Sequence, residues 1–364
     1  MHVDLKKKGI PWQGDINALP EIQSVDPRRA IDKGGVWFIW ISLFERIVIE
    51  RGDIVHRGGY GTLTKCVRRM ELWNPEAGFW ETKSSKSAFL KESSKQFSFK
   101  EEAVLQHVAS TALKDAGFSN AVPPVLDIFI SPHDLTVFTM ECCDDCEILS
   151  TSLNDGSVTE KTLICVLFQV AFYLQVLERH LGLNHRDIKT SNILICREET
   201  SRSIASTSGL LNCVPQPTSR YVYEFGGFKW SIEKDANVIL VDFGFSCLGL
   251  MMGKPSLIKA GIYYNARDPC PKLGRDLYLF MSLLLRDLYR LEGEKGRVVQ
   301  FLEKRISLEN MDVPGFIKKY SDKEPDWLYF LTGDSSLVFP HCEPAIVLQS
   351  LAVAFPEWIT EVAV

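Results

Sequence analysis

The chain has 364 residues, 46% apolar and 24% charged, with a formal net charge of −5 at pH 7. Such a length admits one large two-lobed domain or two small ones, and the apolar share excludes wholesale disorder. The acidic balance excludes nucleic acid as a bulk electrostatic partner; ten cysteines with no paired framework, behind a start without an apolar leader, point to a reducing, intracellular setting.

Residues 1–40 carry Pro11, Pro20, Pro27 and Gly34-Gly35 with little periodicity, and read as an extension over the surface. The most apolar window, Val36 to Phe44, is closed by Glu45 and Arg46. It is too short to span a bilayer, so no membrane span is expected, and it reads as a buried or lobe-covering segment. From Ile47 to Met70 the pattern is strand, Gly-rich turn, strand: Ile47-Val48-Ile49 and Ile54-Val55, then Arg57-Gly58-Gly59-Tyr60-Gly61, then Thr62 to Val67. Residues 72–86 are polar and broken and read as a loop. Ala88 to Lys91 reads as a strand, and Glu101 to Ala112 as a helix with Leu105, Val108 and Ala112 on one face. Val125–Ile130 and Leu135–Met140 read as strands around the turn cluster Ser131-Pro132-His133-Asp134.

After Cys143 helical spacing takes over. Glu160 to His180 reads as a long amphipathic helix, with Leu163, Leu167, Val170, Leu174 and Leu177 in register and Gly182 as its cap. Residues 197–236 form an insertion between two apolar runs. Its first half, Thr200 to Arg220, is rich in Ser, Thr and Pro and reads as a mobile loop. Its second half carries Tyr221, Tyr223, Phe225, Phe228 and Trp230, suited to packing on the body. Leu277–Leu288 and Pro344–Val353 read as helices.

Two segments carry chemistry: Leu183-Asn184-His185-Arg186-Asp187-Ile188-Lys189-Thr190-Ser191-Asn192-Ile193-Leu194, and Val241-Asp242-Phe243-Gly244. Asp187 can accept a hydroxyl proton, and Lys189 can neutralise phosphate charge. Asn192 and Asp242 offer hard oxygen ligands suited to Mg2+. The two segments resemble the catalytic loop and Asp-Phe-Gly segment of eukaryotic-type protein kinases, and the resemblance runs over residues 45–290. It implies an α+β, two-lobed fold: an extension at 1–40, a small β-rich N-lobe at 41–143, and a larger helical C-lobe at 144–364 containing the 197–236 insertion. It further implies ATP and Mg2+ as cofactors and a protein substrate. Lys189, two residues after the Asp, follows the Ser/Thr pattern, so the acceptor is expected to be a Ser or Thr hydroxyl.

Carried over residue by residue, the resemblance assigns further roles. Gly58 and Gly61 fall on the second and third glycines of the family's Gly-rich loop, Gly59 lies between them, and His56 stands where the first glycine belongs. Such a loop lets backbone N–H groups approach phosphates without a Cβ in the way. Lys91 matches the lysine that contacts the phosphates. Glu101, four residues before Leu105, matches its helix partner, with Glu102 as the alternative. Phe89 stands where the family has Ala. Met140-Glu141-Cys142-Cys143 resembles the adenine-binding hinge, with Met140 as gatekeeper and Leu63 and Leu194 as apolar plates. Cys142-Cys143-x-x-Cys146 lacks a second ligand pair, so no structural zinc is expected and the hinge thiols are expected to be buried. His185 and Phe243 are expected to stack behind the site, and Asp276 to anchor the catalytic loop. Ala266-Arg267-Asp268-Pro269 stands where Ala-Pro-Glu belongs, so the peptide-docking part diverges. Arg186 and Ser256 could form a phosphate-ordered switch. Two other readings share the motifs: a pseudokinase scaffold, and a small-molecule phosphotransferase of the aminoglycoside or choline type.

Overall fold

The computed structural model describes residues 28–58, 61–93, 99–143, 145–197, 220–225, 228–233, 235–249, 258–260, 269–291, 296–323 and 325–362. Gly59, Ser256, most of the 197–236 insertion, residues 1–27 and Ala266 to Asp268 lie outside them.

The fold is α+β, a curled antiparallel sheet followed by helices. The first region runs β1 (Ile31–Lys33), β2 (Val36–Trp40), β3 (Glu45–Arg57), β4 (Gly61–Asn74), β5 (Phe79–Ser93), α1 (Lys100–Asp115), β6 (Val125–Ile130) and β7 (Thr136–Glu141). Its seven strands are ordered β1-β2-β3-β4-β5-β7-β6, every pairing antiparallel. Alternation along β2, β3 and β5 turns Trp37, Ile39, Ile47, Ile49, Ala88 and Leu90 into one apolar core with Phe129 and Val137. Trp37 meets Phe129 edge to face, ring centres 6.0 Å apart.

The second region runs β8 (Glu147–Ile148), α2 (Leu149–Asn154), α3 (Glu160–Val176), β9 (Leu183–Asn184), β10 (Ile193–Cys196), β11 (Arg220–Phe225), β12 (Phe228–Glu233), β13 (Asn237–Leu240), β14 (Cys247–Leu248) and β15 (Ile258–Lys259). Helices α4 (Arg275–Arg290), α5 (Gly296–Ile306), α6 (Val313–Lys319), α7 (Asp326–Gly333) and α8 (Pro344–Ala354) follow, and β16 (Ile359–Val362) ends the described chain. Helix α3 starts at a capping box, Thr159 with Thr162.

Four expectations change. Residues 28–40 are not an extension: β1 and β2 complete the sheet, and Trp37 is fully buried. Residues 72–86 are not a loop. They hold the end of β4, a tight turn and most of β5, with Trp73 opposite Trp80. Helix α3 is not amphipathic: every residue from Thr162 to Val176 is buried, because the helix is the axis of the second region. The stretch 160–181 is long and apolar enough to cross a membrane, but 89% of its apolar window is buried inside the molecule. Lastly, among the described residues four cysteines are paired. Cys146 is bonded to Cys196, and Cys247 to Cys270.

Of the aromatic residues expected to pack from the later insertion, Trp230 does so, and the side chains of Tyr221, Tyr223, Phe225 and Phe228 lie outside the described ones. β11, β12 and β16 form a three-stranded sheet that places Trp230 and Ile232 in the main core.

Candidate active site

The loop after α3 is held from behind. The chain leaves α3 through a wide helical turn, Leu177–Leu181, and reverses at Gly182, whose φ of 70° is left-handed. A Cβ at Gly182 would run into the Gly249 carbonyl, so only glycine fits. Arg186 (φ 68°) and Asp242 (φ 66°) are also left-handed, a conformation that costs a non-glycine residue on the order of 1–3 kcal/mol. Asp276 offsets this at Arg186: its carboxylate accepts the backbone N–H groups of His185 (2.6 Å) and Arg186 (2.9 Å). That is the anchoring role expected of Asp276. Beside it, buried Glu178 accepts the N–H of Gly274 at 2.9 Å. Burial, then the Asp276 charge, pushes the Glu178 carboxyl well above the usual range. His185 and Phe243 are fully buried with ring centres 4.7 Å apart, as expected.

Asp187 is buried and accepts four side-chain hydrogen bonds. Lys189 Nζ donates to both oxygens, at 3.0 and 2.9 Å. Asn192 Nδ2 donates to Oδ2 at 3.0 Å and to the Asp187 carbonyl at 2.8 Å. The third donor, absent from the sequence reading, is the Tyr329 hydroxyl on α7, 2.6 Å from Oδ1. Tyr329 lies 142 residues from Asp187, and no motif or spacing links them.

A second cluster forms around Lys91. Lys91 Nζ donates to Glu102 Oε1 at 2.5 Å and to Asp242 Oδ1 at 2.9 Å. The partner of Lys91 is therefore Glu102, not Glu101. Glu102 is 2% exposed and begins the face that continues through Leu105, Gln106 and Ala109, whereas Glu101 lies on the more open side of α1. Two carboxylates share one ammonium. Burial pushes the enclosed Glu102 up to about 7, against the pull of Lys91. Asp242 is also opposed by burial, but Lys91 brings it down to about 2. Burial alone would lower Lys91, and the charges of Asp242 and Glu102 raise it instead.

The two clusters are tied together by strand pairing. β10 and β13 run antiparallel, and the Val241 N–H donates to the Asn192 carbonyl at 3.1 Å. Asn192 and Asp242 thus share one end of the ladder. Asn192 spends its amide N–H groups on Asp187, and its amide oxygen remains an acceptor. Asp242 is partly exposed and has only Oδ1 engaged by Lys91. Two hard oxygens just beyond the ends of adjacent strands suit a Mg2+ ion. Among the described residues, no three His, Cys, Asp or Glu side chains converge as a metal cluster.

The remaining predicted positions lie along β3 to β7 and on β10. Gly58 and Gly61 close the β3–β4 turn, with the Gly58 N–H on the Gly61 carbonyl at 2.9 Å. A Cβ at Gly61 would strike the Glu92 carbonyl and come within 2.8 Å of the Phe99 ring, so glycine is required there; at Gly58 the nearest atom would be an ordinary 3.4 Å away. Met140, Leu63 and Phe89 belong to one apolar cluster with Phe99 and Phe138. Glu141 ends β7 and accepts from Lys86 at 3.2 Å, and Leu194 pairs with Ile239 in the β10–β13 ladder. Cys142 and Cys143 are half-buried rather than buried. Cys146 is not a thiol, because its sulfur is bonded to Cys196 at the end of the strand that follows Asn192.

No protein-family model matches this sequence, and no curated protein matches it either. The site is therefore read from its own residues.

Proposed function

We propose that the chain is an ATP-dependent protein kinase with a two-lobed fold, the sheet and α1 forming the small lobe. It transfers the γ-phosphoryl group of Mg-ATP to Ser or Thr hydroxyls of a protein substrate. One observation carries this reading. Lys91, Glu102 and Asp242 meet on one side of a cleft, Asp187, Lys189 and Asn192 on the other, and the Asn192–Val241 backbone bond joins them.

Each residue then has a task in phosphoryl transfer, which asks a protein mainly for alignment and charge. Lys91, oriented by Glu102, neutralises phosphate oxygens. The cradle at Gly61 leaves room for backbone to approach them. Asn192 and Asp242 would hold the metal, which supplies positive charge at the phosphates. Asp187 orients the acceptor hydroxyl and takes its proton, and Lys189 stands beside it to balance charge on the transferred group.

Turnover with a generic protein acceptor tests the reading. Asp187→Asn should lower the rate by about 10²–10⁴-fold with nucleotide affinity nearly unchanged, since Asp187 serves the acceptor. Phosphoamino-acid analysis should return phosphoserine or phosphothreonine. A wild-type chain that binds Mg-ATP without turnover would favour the pseudokinase reading, and near-normal turnover by Asp187→Asn would remove Asp187 from the chemistry.

A further inference from the structure

Beside Asp187, a cavity of about 700 Å³ opens between α2, the turn at Lys189 to Ser191, α4 and α7. That volume lies within the range of about 300–1,000 Å³ that ligand sites occupy. Tyr329 reaches into the cavity from α7 and donates its phenolic hydrogen to Oδ1 of Asp187 at 2.6 Å. A hydroxyl donating to the base carboxylate is the contact that an acceptor would make.

The charges of the lining are unevenly committed. Lys189 is spent on Asp187. Asp287 accepts from the Thr190 hydroxyl at 2.5 Å, and burial raises its carboxyl above the usual range. Arg286 and Arg290 remain, one turn apart on the same face of α4. The Nε of Arg286 donates to the Ser321 carbonyl at 3.1 Å, which fixes that end of the side chain beside the cavity it lines. Among the described residues, neither guanidinium forms an ion pair, although the charges of both pull down the carboxyl of Asp287 between them, against its burial. A forked guanidinium matches a carboxylate better than any neutral group. The lining acid without such a commitment, Asp326, sits in the first turn of α7, where the helix N-terminus favours negative charge.

We propose that this cavity is an acceptor subsite selecting a peptide with Asp or Glu close to its Ser or Thr. Arg286 and Arg290 read the carboxylate, and the acceptor hydroxyl replaces the Tyr329 phenol on Asp187. The proposal rests on the phosphotransferase reading for the hydroxyl, but not for the carboxylate.

The test uses the full chain and three fluorescent peptides that differ only in carrying Asp, Asn or Lys beside one Ser. Anisotropy without nucleotide measures binding, and turnover measures the KM for each peptide. The Asp peptide should bind about tenfold more tightly than the Lys peptide, the size of one charge-assisted contact. Arg290→Glu should reverse that order without changing the KM for ATP. Arg290 is exposed, so the variant should keep the wild-type melting temperature. Tyr329→Phe should tighten the Asp peptide several-fold, because no phenol competes for Asp187. Equal binding of the three peptides, or an unchanged order in Arg290→Glu, would overturn the subsite. Selective binding without phosphoryl transfer would keep the subsite and overturn the kinase reading. Transfer without selectivity would do the reverse.

Discussion

At the scale of residues, the cleft turns on how Lys91 is shared. The sequence contains two adjacent glutamates, and spacing to Leu105 favours Glu101; only the helix's rotation about its axis selects Glu102. One residue along a helix is a turn of 100°, which periodicity cannot resolve near an N-terminus. Glu102→Gln should lower turnover by about 10–100-fold, the effect of losing a charged hydrogen bond worth about 1.5–3 kcal/mol. Glu101→Gln should stay within about twofold of wild type, as surface changes usually do. Equal losses in both variants would show that the pairing with Lys91 is not what matters. The same carboxylate sets a pH dependence of stability. Folded Glu102 holds its proton up to about pH 7, whereas an ordinary Glu releases it near 4.5. Between those values the folded chain binds the extra proton, so this contribution to stability is largest on the acid side and is lost as pH rises through 7. Asp242 changes in the opposite sense and lower down: its contribution is present above the ordinary Asp value and lost only as pH falls toward 2. Urea melts of wild type and Glu102→Gln in EDTA should therefore differ in slope between pH 5 and 8. Parallel slopes would exclude a raised Glu102.

At the scale of elements, the strongly patterned pieces were legible and the hairpin of β4 and β5 was not. β6, β7 and α4 follow apolar runs that one face of a strand or helix explains. Over residues 72–86 the strands have solvent near both faces: Thr82, Lys83, Ser85 and Lys86 are all exposed. Without a buried face there is no alternation to read. Cross-strand contacts hold this part instead. The Trp73 and Trp80 rings meet at 5.5 Å, Trp40 and Trp80 at 5.2 Å, and the Arg46 guanidinium lies 4.1 Å from the Trp80 ring centre. The turn is local chemistry: the Asn74 side chain accepts the N–H groups of Glu76 and Ala77, and Gly78 takes a left-handed φ of 69°. The second half of the insertion was legible through its aromatic residues, but its third strand, β16, comes 126 residues after Glu233, the end of β12, taking 359 minus 233. Ile232 and Ile359 are each 1% exposed and pair across that junction. Ile232→Ala should cost about 2–4 kcal/mol in a denaturant melt, the usual effect of emptying a core isoleucine site. A loss below about 0.5 kcal/mol would mean the insertion only rests on the surface.

At the scale of the whole molecule, the order of sheet then helices was legible, because each motif sits between elements of the expected type. The cysteine pairing was not, since ten cysteines allow many partners and the bonded ones stand 50 and 23 residues apart. Both bonds brace the cleft. Cys146–Cys196 joins the chain after β7 to the strand that follows Asn192. Cys247–Cys270 joins the strand after Asp242-Phe243-Gly244 to a residue two before Lys272. Lys272 in turn donates its backbone N–H to Asn184 Oδ1, at 2.6 Å, and its ammonium to the carbonyls of Thr332 and Asp334 at the end of α7. The bridge therefore connects the Asp242 strand, the loop carrying Asp187 and the helix carrying Tyr329. In the chain-entropy account, closing loops of these lengths stabilises the fold by about 3–4 kcal/mol each. Dithiothreitol should accordingly lower the melting temperature of the wild type by several degrees, and Cys247→Ser with Cys270→Ser should remove most of that response. If the second bond also positions α7, the same double variant should loosen Tyr329 from Asp187, read as faster hydrogen exchange across α7 while α3 stays protected. Unchanged exchange in α7 would reduce the bridge to a stability element. An unchanged melting temperature under reduction would mean that the bonds add nothing to the fold.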